Sequence, residues 1–226
     1  MIINIRGTSG SGKTTLVRKV FDHLQAGNHT KTEWHLDEQD WSHPLLAGLR
    51  PERERKRPWG YVLENRERRA NVVVLGSYES ECGGCDSISG LDLMYGLARL
   101  AHERRYHVIF EGLIINSDFK RAAQLATDQI PHLLIYLSTP LEQCIQSVEH
   151  RRNQSKRAEK FRAAGGEMPA FNPANTRAKY DLNLKMIDRM RAAGVSCLSL
   201  ARDEAFLEIS KLLAEPWTEK SGKVPQ

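Results

Sequence analysis

Gly7-Thr8-Ser9-Gly10-Ser11-Gly12-Lys13-Thr14 decides how this chain is read. The stretch fits the pattern G-x-x-x-x-G-K-[ST], which carries weight only where a strand precedes it and a helix follows. Both flanks are present. Ile2-Ile3-Asn4-Ile5 is a short apolar run, and after the loop Leu16, Val17, Val20, Phe21 and Leu24 share one helical face before Gly27 supplies a stop. The spacing predicts a helix from Lys13 to Ala26. Glycines let successive backbone N–H groups turn inward around an anion, and the helix N-terminus adds positive partial charge. Gly7, Ser9, Gly10, Ser11, Gly12, Lys13, Thr14 and Thr15 are therefore expected to cradle the phosphates of ATP. Lys13 would reach the β and γ phosphates, and the Thr14 hydroxyl would ligate Mg2+.

Working outward, apolar runs bounded by turn residues recur at Ile2 to Ile5, Val72 to Leu75, His107 to Phe110, Leu133 to Leu137 and Val195 to Leu200. Helical stretches lie between them, and Ser89-Gly90-Leu91-Asp92 and Thr139-Pro140-Leu141-Glu142 read as capping boxes. Alternation of this kind implies right-handed crossovers and a parallel sheet covered on both faces. The expected fold is α/β: a P-loop kinase-like, three-layer single domain over residues 1–226, with a mainly parallel five-stranded sheet.

Two segments break the rhythm. Residues 28–71 hold Trp34, Trp41, Trp59 and Tyr61 and the charged run Arg50-Pro51-Glu52-Arg53-Glu54-Arg55-Lys56-Arg57. Within them Gly60 to Glu64 and Asn71 to Leu75 flank a polar turn, the pattern of a β-hairpin. This region reads as a substrate-side insertion. Residues 149–179 hold Arg151, Arg152, Lys156, Arg157, Lys160, Arg162, Arg177 and Lys179 around Gly165-Gly166, and read as a mobile, arginine-rich lid. Residues 215–226 read as a polar, frayed tail.

Further candidates follow from where the strands end. His107-Val108-Ile109-Phe110-Glu111-Gly112 carries an apolar run into a carboxylate at the carboxyl edge of the sheet, where ligands of α/β proteins bind. Glu111 would hold Mg2+ or accept a proton; a structural role capping the next turn is the alternative. The segment Gly76-Ser77-Tyr78-Glu79-Ser80-Glu81-Cys82-Gly83-Gly84-Cys85-Asp86-Ser87 emerges at the same edge. Asp86 is the preferred general base, since an alcohol acceptor must lose its proton as the phosphorus–oxygen bond forms. Glu79 and Glu81 compete for the role, and Asp86 could instead cap the following helix. Arg151 and Arg152 are the candidates to meet the transferring phosphoryl group, against the alternative of a solvated charged face.

Composition excludes several classes. No apolar run approaches the roughly 20 residues of a membrane span, and the N-terminal apolar run is too short for a signal peptide, so a cytoplasmic protein without a membrane partner is expected. Cys82, Cys85, Cys144 and Cys197 are too few and too uneven for a disulfide framework, and no second ligand pair completes a zinc site at Cys82 and Cys85. The formal charge of +5 favours an anionic partner without choosing among ATP, a nucleotide and DNA. The sequence leaves the oligomeric state open.

The glycine loop, Glu111-Gly112, the Thr139-Pro140 helix and the arginine-rich segment together resemble the nucleoside and nucleotide kinases. More narrowly, Leu75-Gly76-Ser77-Tyr78 followed by Cys82-Gly83-Gly84-Cys85-Asp86-Ser87-Ile88, together with Asn175-Thr176-Arg177, resembles the phage-encoded 5-hydroxymethyluracil DNA kinases. That resemblance implies transfer of the γ-phosphate of ATP to the hydroxymethyl group of a modified pyrimidine in DNA, preparing it for displacement during hypermodification. A DNA acceptor would suit the Arg50 to Arg57 run and the three tryptophans, as phosphate contacts and stacking platforms. Packing in the core is the competing fate of those tryptophans. A free nucleoside or nucleotide kinase and an ATP-hydrolysing switch or motor are the alternative readings, and all three share the ATP site.

Overall fold

The first strand, β1 (Ile2–Arg6), is buried along its whole length. Period-2 alternation therefore sends apolar side chains to both faces: Ile3 and Ile5 join one core cluster and Ile2 another. The computed structural model describes residues 1–52, 55–65, 71–79, 84–112 and 116–215. β1 sits between β5 (His107–Gly112) and β6 (His132–Leu137), with β4 (Val72–Leu75) beyond β5 and β7 (Cys197–Leu200) beyond β6. These five strands are parallel and correspond to the five apolar runs.

The sheet is larger than the sequence indicated. It has seven strands in the order β2-β3-β4-β5-β1-β6-β7, because the 28–71 insertion adds two antiparallel strands at the β4 edge. β3 (Gly60–Glu64) pairs with β4 as the expected hairpin, and β2 (Thr30–Trp34) pairs with β3. β2 escaped notice because Thr30-Lys31-Thr32-Glu33-Trp34 buries only its last residue, so it carries no apolar alternation to read. The architecture is thus α/β with a mixed seven-stranded sheet rather than a five-stranded one.

Helices cover both faces. α1 (Lys13–Ala26) buries Leu16, Val17, Val20, Phe21 and Leu24 and shares a cluster with Ile3, Ile5 and the buried side of α8 (Arg202–Ala214). On the opposite face α3 (Leu91–Glu103) packs Leu93, Leu97 and Leu100 against Ile2, Val73, Val108 and Phe110. α4 (Asn116–Thr127) and α7 (Ala174–Ala192) close a third cluster over Leu134 and Tyr136. The short α2 (Glu38–Trp41) is held by a true capping box between Asp37 and Asp40. Neither capping box expected from the sequence forms: α3 starts from Gly90 and α5 (Leu141–Asn153) from Pro140, and neither first residue makes a side-chain cap bond. Thr139 spends its hydroxyl on the glycine loop instead. The 149–179 segment is largely helical, holding the end of α5, then α6 (Lys156–Ala163), then the start of α7. Residues 216–226, most of the expected tail, lie outside the described residues, of which no helix is long and apolar enough to cross a membrane.

Two strand histidines add a pH dependence. His107 and His132 begin β5 and β6 inside the protein, and burial pushes their pKa values down to about 4 and about 3. In the unfolded chain both titrate near the ordinary histidine value of about 6.5. Their contribution to stability is therefore complete above about pH 6.5 and is lost as pH falls toward the folded values, because the unfolded chain alone takes up the protons. Urea unfolding at pH 7, 6 and 5 should show stability falling by on the order of 1 kcal/mol per histidine per pH unit below 6.5. Unchanged stability between pH 7 and 5 would contradict the burial of these neutral imidazoles.

Candidate active site

All five parallel strands end toward one cleft of about 970 Å3, lined by the glycine loop, Cys85 and Asp86 after β4, Glu111 at the end of β5, Ser138 to Pro140 after β6 and Ala201 to Glu204 after β7. This is the carboxyl-edge crevice where α/β sheets hold ligands. The glycine loop is fixed from two sides. The Thr139 hydroxyl donates to Ser11 O at 2.9 Å, and the Asn183 amide of α7 donates to the Thr8 hydroxyl at 3.0 Å. Gly10 sits at φ +84° with its backbone against α5, where an added Cβ would lie 2.4 Å from the Cys144 carbonyl oxygen. Only glycine fits both constraints.

Lys13 and Thr14 open α1 directly behind the loop. The Lys13 ammonium donates to Gly7 O at 2.8 Å and Thr8 O at 3.1 Å, so it curls over the loop. Burial lowers its pKa to about 8, opposed by the nearby Glu111 carboxylate. The Thr14 hydroxyl donates to Glu111 Oε1 at 2.9 Å. Glu111 is buried, its Oε2 has no hydrogen-bond partner, and burial raises its pKa against the pull of Lys13. The buried Tyr78 phenol is coupled to the same carboxylate; desolvation, then the Glu111 charge, raise its pKa well above the ordinary value. An ammonium, a hydroxyl and an under-coordinated carboxylate around a glycine loop are the donor set that a polyphosphate with a hard divalent cation requires.

Asp86 reaches the cleft through a well-braced turn. Gly76 and Ser77 leave β4, and Ser77 pairs with Gly84 through two backbone hydrogen bonds. Gly84, at φ +98°, packs so tightly on Glu111 that an added Cβ would lie 2.5 Å from Oε1. The 3-10 turn Cys85–Ser87 follows. Ser87 Oγ donates to Gly84 O at 2.6 Å and accepts from Ser77 N at 3.1 Å. Arg55, reaching across from the insertion, donates to Ser87 Oγ at 3.0 Å, to the Ser87 carbonyl and to Pro58 O at 2.8 Å, with its guanidinium 4.5 Å from the Trp59 ring centroid. The insertion thus borders the turn that carries Asp86.

Of the other candidates, Glu79 is exposed and ion-paired with Lys31 at 3.2 Å, away from the cleft lining, and Glu81 and Cys82 lie outside the described residues. Cys85 is buried, its thiol pushed up to about 12 by desolvation and donating to Leu75 O. It is a packing residue. Arg151 lines the cleft, whereas Arg152 donates to Pro169 O at 2.7 Å. Of the two fates open to the insertion's tryptophans, core packing holds for Trp34 and Trp59, which are buried, while Trp41 is half-buried. In the charged run Arg50 is paired with Glu38 and Arg55 is spent on the Ser87 turn, Lys56 and Arg57 are exposed, and Arg53 and Glu54 lie outside the described residues.

Sequence reasoning missed three features. Arg18 and Arg202 line the cleft, but each lies among ordinary helix residues and carries no motif. Arg6, the residue before the loop, is fully buried: it pairs with Asp118 at 3.0 Å, and Tyr95 donates to that carboxylate at 2.7 Å. Burial opposes the Arg6 charge, but Asp118, Tyr95 and Cys85 together more than offset it and the net shift is upward. A charged residue ending an apolar strand was the available signal.

No family model matches the chain, and no solved structure does. A 5-hmdU DNA kinase of Pseudomonas phage PaMx11 is 35% identical over 218 residues, covering 94% of this chain and 96% of that protein. The chain is a phosphotransferase. Within that class it belongs to the 5-hmdU DNA kinase family.

Lysine cannot reproduce the planar fork with which Arg55 spans Ser87 and Pro58. Arg55→Lys should lower turnover several-fold with little change in KM for the phosphoryl donor; unchanged turnover would show that the Asp86 turn holds without this brace.

Proposed function

We propose that this chain transfers the γ-phosphoryl group of ATP to the hydroxymethyl group of 5-hydroxymethyluracil in DNA, as a P-loop kinase of a phage DNA hypermodification route acting in the cytoplasm. The observation that carries the reading is the convergence of Lys13, Thr14, Asp86 and Glu111 on one cleft, in a chain 35% identical to a 5-hmdU DNA kinase.

In this reading the glycine loop and the first turn of α1 hold the phosphates, and Lys13 exchanges its carbonyl partners at Gly7 and Thr8 for phosphate oxygens. Mg2+, when bound, neutralises charge on the β and γ oxygens. The Thr14 hydroxyl would ligate it, and Glu111, whose Oε2 is unsatisfied in the buried pocket, would hold its water shell. Asp86 accepts the proton of the hydroxymethyl group as its oxygen bonds to the γ-phosphorus. The bond from that phosphorus to the β–γ bridging oxygen breaks, leaving ADP and a phosphomonoester. Arg151, on the α5 side of the cleft, meets the charge on the equatorial oxygens.

Labelled γ-phosphate transfer tests the proposal with three acceptors in parallel: DNA containing 5-hydroxymethyluracil, unmodified DNA and hydroxymethyl-dUMP. Label in the modified DNA alone is expected; label in the mononucleotide alone would return the chain to the free nucleotide kinases. Lys13→Ala should abolish transfer. Asp86→Asn should lower turnover by about 10²–10⁴-fold with donor binding retained, and full turnover would move the base elsewhere, first to Glu111.

A further inference from the structure

One short segment carries as much formal positive charge as the whole protein. Residues 151–162 hold six cations, Arg151, Arg152, Lys156, Arg157, Lys160 and Arg162, against one carboxylate, Glu159. The chain has 33 Lys and Arg and 28 Asp and Glu, so 27 of each remain elsewhere and the rest of the molecule is formally neutral. Lys19, Lys31, Arg50, Arg99, Arg104, Arg121, Arg177 and Arg191 each lie against a carboxylate. Among the described residues none of the six does, and while single cations such as Lys120 and Lys185 also lack such a partner, here six fall within twelve residues.

The fold orders part of this segment without compensating its charge. Ser155 caps α6 by accepting from Ala158 N, and Arg162 reaches back to the Asn153 carbonyl. Arg152 is held by the Pro169 carbonyl. A carbonyl orders a guanidinium without neutralising it. Gln143, Ser147 and Arg151, four residues apart on α5, line the cleft, so α6 follows directly on the helix end at its mouth. Of the six cations only Arg151 lines the cleft itself; Lys156, Arg157 and Lys160 are exposed beyond it.

We propose that α6, with the end of α5, is the docking surface for the sugar–phosphate backbone of the DNA acceptor, an inference that rests on the function proposed above. An eight-residue helix is about 12 Å long, and a duplex presents about seven phosphate charges over that length. Apart from Arg151, which lines the cleft, this surface lies beyond an ATP seated on the glycine loop, and a mononucleotide acceptor brings too little charge to need it. A row of unneutralised cations beside the cleft draws a polyanion by counterion release, sequence-independently, and leaves recognition of the modified base to the cleft.

The test compares the wild-type chain with Lys156→Gln/Arg157→Gln/Lys160→Gln and with a charge-matched control, Lys120→Gln/Lys185→Gln/Lys211→Gln, which removes exposed cations from α4, α7 and α8. Binding to a duplex containing 5-hydroxymethyluracil is measured by fluorescence anisotropy across a salt series, alongside KM for that DNA and for ATP. The α6 variant should bind roughly tenfold or more weakly, with the slope of log K against log salt shallower by about 2 to 3. Its KM for DNA should rise while KM for ATP and turnover at saturating DNA hold, and the control should match wild type. A single Lys160→Glu substitution carries the same prediction at smaller amplitude. Unchanged DNA affinity and slope in the α6 variant, equal loss in the control, or a rise confined to KM for ATP would each overturn the proposal while wild-type transfer to modified DNA left the function standing. Wild-type transfer to hydroxymethyl-dUMP alone would overturn both.

Discussion

The Thr14 to Glu111 hydrogen bond is the constraint on which the site depends, and strand register sets it. Ile5 of β1 lies opposite Glu111 of β5, so the carboxylate arrives level with the start of the glycine loop. A slip of one residue would turn Glu111 to the other face of the sheet and leave Thr14 and Lys13 facing an apolar side chain. The buried ion pair of Arg6 with Asp118 at the end of β1 opposes that slip, because a shifted strand would leave a buried guanidinium without its carboxylate. The geometry of the candidate site is thus tied to the packing of the strands beneath it. The cost is a buried carboxylate with one oxygen that makes no hydrogen bond within the protein.

Charge is distributed by the same logic. Directly beneath the loop, Arg6 is neutralised by Asp118, whose carboxylate also accepts from Tyr95, so a cation adjacent to the glycine loop is locked into structure. Breaking such a buried pair costs about 3–5 kcal/mol, far more than an exposed pair contributes. At the loop, Lys13 is desolvated but kept beside Glu111. Residues 151–162 hold the densest excess of cations, six against one carboxylate.

Much of this was legible in the sequence, and the failures have physical causes. Helix α1 ends where the Leu16 to Leu24 stripe and Gly27 place it, and Glu111 lies at the strand end beside the loop, because apolar periodicity reports burial directly. The β3–β4 hairpin was readable for the same reason. β2 was not, since an exposed edge strand has no apolar face to alternate. Thr139 has the spacing of a cap but bonds to Ser11, 128 residues away, and local pattern says nothing about so distant a partner. Arg55 sits in a run that reads as surface charge, yet its contacts with Ser87 brace the turn that presents Asp86. In each case a polar side chain was claimed by tertiary structure.

The most direct test of the central claim, that the edge shared by β1 and β5 is the phosphate and metal centre, is a crystal structure with a non-hydrolysable ATP analogue and Mn2+, located by anomalous scattering. The account predicts the triphosphate inside the glycine loop, Lys13 on its terminal phosphates, and the manganese bonded to the Thr14 hydroxyl with Glu111 on the same metal's coordination sphere. A triphosphate bound away from the loop, or a metal held without Thr14 and Glu111, would contradict it.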